Sequence, residues 1–89
     1  MPSPELETLD QLLGGDMPVS VIAKVYPSLE ACRAGLLGLL HEGDVTLLNP
    51  EHQEIPHWQS RELFSAPDWL NRLGSYCLHV TTQGANRIA

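Results

Sequence analysis

SLEACRAGLLGLLHEGDVTLL, residues 28–48, is the stretch whose reading decides the architecture. Ser28 stands at an N-cap, Glu30 falls in the first turn, His41 in the last, and Gly43 follows. Each suits a helix end: a hydroxyl accepts an orphan N–H, charges complement the dipole, and glycine takes up the left-handed stop. Leu29, Cys32, Leu36, Leu39 and Leu40 recur at helical spacing, so a helix over 28–42 with those residues facing inward is predicted. Asp-Val-Thr-Leu-Leu at 44–48 then reads as a short strand ended by Asn49-Pro50.

Upstream, residues 19–26 fit two periods. Val19, Val21, Ala23 and Val25 alternate, while Val21, Ile22, Val25 and Tyr26 also form a helical face. Pro27-Ser28, placed directly before the next helix, favours two helices joined by a tight turn. Ser3-Pro4-Glu5 opens a first helix whose apolar face is Leu6, Leu9, Leu12 and Leu13, and Gly14-Gly15 stops it. Downstream, residues 50–75 are punctuated by Pro50, Pro56, Pro67 and Gly74. A structureless loop of that length is uncommon, so a short helix is expected near 61–64 or 67–73. Trp58, Phe64, Trp69 and Leu73 are expected to anchor the segment on the core. Residues 76–81 alternate as a second strand, expected to pair antiparallel with the first, and Thr82 is expected to cap a last helix ending at Ile88.

Helix–turn–helix followed by two strands resembles the winged-helix superfamily. Residues 76–84, Tyr-Cys-Leu-His-Val-Thr-Thr-Gln-Gly, are similar to the strand and Leu-Thr-x-x-Gly ending of small bacterial winged-helix proteins. Residues 36–48 resemble their passage of recognition helix, glycine and strand, and the likeness covers 19–48 and 76–88. It implies one α+β, winged-helix-like domain over residues 1–89: three N-terminal helices, a two-stranded antiparallel hairpin with a long insert, and a short C-terminal helix. Residues 49–75 exceed an ordinary wing.

Composition narrows the partners. The chain of 89 residues carries eleven acids against five Lys and Arg, for a formal net charge of −6. Nucleic-acid binding draws most of its free energy from cations placed on phosphates, and here the cations are dispersed. The two cysteines form no close pair, unlike the frameworks of small secreted domains. Residues 1–10 hold no base and no apolar run, so no signal peptide is expected, and no apolar stretch approaches the roughly 20 residues of a bilayer span. A bacterial-type, cytoplasmic protein without membrane contact is the expectation.

The resemblance implies that helix 28–42 stands where the family reads DNA. With Leu29, Leu36 and Leu40 inward, its outer side carries Ala31, Ala34, Gly35 and Gly38, flanked by Glu30 and His41. Base edges are read by Arg, Lys, Asn, Gln or Ser side chains, which this strip lacks. Glu30, Ala31, Ala34, Gly35, Gly38 and His41 are therefore the candidate partner-binding residues, the partner being a helix of another protein or of a second copy. The competing expectation is that 49–75 folds back and covers them. The alternative function, a DNA-binding regulator, would use Lys24, Arg33, Arg61 or Arg72. His52 with His57, and Cys77 with His79, lack the paired spacings of zinc sites, so no metal and no cofactor is expected. No nucleophile elbow, phosphate-binding glycine loop or isolated carboxylate pair points to an enzyme.

Overall fold

Two serine hydroxyls start the helices that organise the chain, which is described for residues 3–88 in a computed structural model. Ser3 accepts a hydrogen bond from the Leu6 N–H at 3.2 Å and opens α1 (Pro4–Leu12); Ser28 accepts from the Ala31 N–H at 3.1 Å and opens α3 (Leu29–Glu42). Such caps contribute about 1 kcal/mol each. Gly43 ends α3 at φ 82°, in the left-handed region. Between the two helices the chain makes strand β1 (Met17–Pro18), helix α2 (Val19–Ile22) and a 3-10 turn (Ala23–Val25).

The ambiguous residues 19–26 thus resolve as helical, tightening to 3-10 before Pro27. Ile22 and Tyr26 are buried and Val25 half-buried, but Val21, expected on the same face, is 38% exposed because α2 turns Val19 and Ile22 inward and leaves Val21 on its far side. Strand β2 (Val45–Leu48) follows α3, then come α4 (His57–Ser65), α5 (Trp69–Leu73), β3 (Cys77–Val80) and α6 (Thr82–Ile88).

Among the described residues the architecture is a compact α+β fold of six α-helices on a three-stranded antiparallel sheet. The expected pairing of β2 with β3 is present, in the register Val45↔Val80 to Leu48↔Cys77. The expected two-stranded hairpin is corrected in two respects. β1 adds a third strand through Met17↔Leu78 and Pro18↔Cys77, which puts β3 in the centre. Two residues, one of them a proline without an N–H, leave no alternation to read. The β2–β3 connection, moreover, holds two helices, α4 and α5, where one was expected, at 61–64 or at 67–73.

The core gathers Leu9, Leu12, Ile22, Leu36, Leu47, Phe64, Leu73 and Leu78, all at 2% exposure or less. Four residues expected to face inward lie exposed. Leu29 is 52% exposed because, as the first residue of α3, it overhangs the core's end, and Leu6 and Leu13 lie 42% and 51% exposed at the rim of α1. Trp58 is 64% exposed, whereas Phe64, Trp69 and Leu73 anchor the segment as expected.

One corner is built from polar groups. Asp44, fully buried between α3 and β2, accepts from Arg87 at 2.5 Å and from Gln83 at 3.1 Å. Gln83 also donates to the Glu42 carbonyl at 2.6 Å. Thr81 is the residue that caps α6, accepting from the Gly84 N–H at 3.1 Å, one position before the expected Thr82. Gly84 packs on the Asp44 carbonyl so tightly that a Cβ would overlap it.

Candidate functional site

Rotation of α3 about its axis decides which residues it offers outward. Cys32, Gly35, Leu36, Leu39 and Leu40 are buried, while Glu30, Ala34, Gly38 and His41 are exposed and Ala31 and Leu37 half-buried. The inward face therefore centres between Cys32 and Leu36, not on Leu29, a turn of roughly 40–50° from the sequence-based placement. Gly35 is the casualty. It belongs to the core side, where an added Cβ would lie 2.6 Å from the Tyr26 ring and 3.0 Å from a Glu5 carboxylate oxygen. Its lack of a side chain admits Tyr26 and α1, so it cannot form part of an outer strip.

Tyr26 is held there by its hydroxyl, 3.1 Å from Thr8 Oγ1. Burial, with Glu5 nearby as a smaller contribution, pushes its ionisation up to about 12 against the opposing Thr8 hydrogen bond. Burial likewise pushes the Cys32 thiol up to about 11, which leaves it an unreactive core residue.

Gly38 is the opposite case. Among the described residues, no atom beyond its own helix turn and chain neighbours lies within 4 Å of a Cβ built on it. Segment 49–75 does fold back, but beside the strip rather than over it. α4 runs along the Leu37 edge of α3, and between them lies a groove of about 350 Å³ lined by Leu37, Gly38, His41, His57 and Arg61. α1 flanks the other edge, beside Gly35. Ala34 and Gly38 stay open between the two flanking helices.

His57 therefore meets His41, ring centroids 5.8 Å apart, and not His52. His52 sits exposed at φ 63° in the turn organised by Asn49, whose Oδ1 accepts from the Glu51 and Gln53 N–H groups at 3.0 and 2.9 Å. Cys77 is half-buried, and His79 turns outward to Asp16, Nδ1 to Oδ1 2.7 Å. Among the described residues no three His, Cys, Asp or Glu side chains gather as a metal site.

The candidate cations are divided. Arg33 pairs with Glu30 and Arg72 with Asp68, both at 2.9 Å, and Arg87, outside the candidate set, is committed to Asp44. Lys24 is exposed on the 3-10 turn, and Arg61, on α4, faces the groove; neither is in an ion pair among the described residues. Leu37, His57 and Trp58 were not singled out as site residues from the sequence. A helical wheel of 57–65 with Ser60 and Phe64 inward points Trp58 outward and could have found that residue once the helix ends were known, whereas Leu37 and His57 depend on how α3 and α4 meet.

No helix among the described residues is long and apolar enough to cross a membrane. No protein-family model, curated protein or solved structure matches this chain.

Proposed function

We propose that this protein is a non-catalytic, winged-helix-like interaction module that receives a helix of a protein partner, or of a second copy, on the outer face of α3. The observation that carries this is Gly38. A glycine inside a helix costs about 1 kcal/mol relative to alanine, and no neighbour among the described residues requires its missing side chain. Gly35 and Gly84 are each explained by a neighbour that a Cβ would strike; Gly38 borders an open groove. Close approach of a second backbone accounts for it. The winged-helix part of the reading is supported by α2 and α3, joined by a tight turn, running through Gly43 into β2, which pairs antiparallel with β3.

The regulator that reads DNA is the weaker reading. Arg33 and Arg72 are paired with acids, and the outer face of α3 carries Glu30 beside alanine and glycine. Photo-crosslinking separates the two. A photoreactive residue at position 38 should give a discrete protein adduct in cells that express the chain, and the same residue at exposed Ser75 should not. Equal labelling from both positions, together with a salt-sensitive gel shift on mixed duplex DNA, would overturn the interaction module in favour of the regulator.

A further inference from the structure

We infer that the occupant of the α3–α4 groove is α1 of a second copy of this chain, exchanged reciprocally about a two-fold axis that runs parallel to α3. The inference rests on the docking reading of α3 above, and names its partner.

Charge and apolar surface favour this occupant. The groove is bordered by Arg61 and two imidazoles and is lined by no acid, in a chain whose formal net charge is −6. Trp58, the most exposed large apolar side chain among the described residues at 64%, stands one turn before Arg61 on the outer side of α4. α1 offers the complement. Leu6 and Leu13, 42% and 51% exposed, lie seven residues apart and so on one side of the helix. Exposed Asp10 lies between them, and its carboxylate is in no ion pair among the described residues. A leucine, a carboxylate and a leucine thus match a tryptophan and a guanidinium.

Topology makes the exchange reciprocal. α1 flanks α3 on the Gly35 edge and α4 flanks it on the Leu37 edge. Rotation by half a turn about an axis parallel to α3, just outside its open face, lays the α1 of one copy over the α4 side of the other, twice. The open Ala34 and Gly38 backbones then meet in the middle. Such an isologous contact closes as a dimer, whereas one-way insertion would grow open chains.

Sedimentation of the full chain from low to high micromolar concentration tests the inference, with tryptophan quenching by acrylamide as a second readout. Trp69 is buried, so the change in quenching reports Trp58. The expected result is a monomer–dimer equilibrium in which Trp58 becomes shielded as dimer forms. Arg61→Glu and Asp10→Arg should each weaken it on the order of tenfold, and the two together should restore it, because the ion pair is rebuilt with its signs exchanged. Both side chains are exposed, so neither change threatens folding. A chain that stays monomeric, a dimer indifferent to both reversals, or a double variant that fails to recover each overturns the inference. A monomer that still crosslinks from position 38 to another protein overturns this inference while leaving the docking reading intact.

Discussion

At the scale of single residues, two glycines three apart on one helix have opposite meanings. Gly35→Ala would drive a methyl group into the Tyr26 ring and should destabilise the fold by about 1–3 kcal/mol. Gly38→Ala enters open space and should stabilise the monomer by up to about 1 kcal/mol, read as a shift in urea midpoint with unchanged slope. If the face is a docking surface, the same substitution should weaken association, so stability and binding would move in opposite directions. Tyr26 adds an alkaline signature. Its ionisation is raised above that of the unfolded chain, to about 12, so the folded state holds the proton more tightly. The associated stability is fully present below about pH 10 and is lost as pH rises through about 12. Urea midpoints measured across that window should fall for the wild type, and Tyr26→Phe should remove that component of the decline.

At the scale of elements, α6 is held less by apolar packing than by the polar corner. Its first turn wraps the Gly43–Asp44 backbone through Thr81, its Gln83 caps α3, and its Arg87 neutralises a carboxylate with no solvent exposure. Removal of one member of such a pair leaves a buried charge uncompensated. Arg87→Ala should therefore cost about 2–3 kcal/mol even though Arg87 itself is half exposed, measurable by thermal or urea unfolding. Arg87→Lys should recover part of it. The corner also explains the Thr81-Thr82-Gln83-Gly84 run physically: the first Thr caps, Gln83 bridges, and only glycine fits against the Asp44 carbonyl. The ends of α1 and α3 were legible in the sequence because capping chemistry is local, set by residues within one turn, whereas the start of α6 was read one residue late, at Thr82 for Thr81. The rotation of α3 was not legible. Leu29 satisfies the helical period as well as Leu36 does, and only the positions of α1 and α4 show which lies over the core.

At the scale of the whole molecule, fifteen buried apolar residues from every layer form one cluster, and Cys32 lies in it at no exposure. A thiol reagent at neutral pH should label Cys77 while the protein is folded and reach Cys32 only on global unfolding, so the slow labelling rate should track denaturant as equilibrium stability does. A fast second thiol would show that α3 opens locally. The candidate site was legible only in part, for the same reason as the fold. Ala34, Gly38, Glu30 and His41 could be placed outward from one helix considered alone. Arg61 was a candidate only as a scattered cation. Its place in a groove with His57, and the exposure of Trp58 beside it, depend on where α4 comes to lie after two proline-broken turns. By itself the sequence determined the starts and stops of α1 and α3, the β2–β3 strands and the acidic charge, because those follow from local backbone chemistry and composition. Tertiary structure alone decided the third strand, the buried Gly35, the open Gly38 and the α3–α4 groove, because each depends on a contact between segments far apart in the chain.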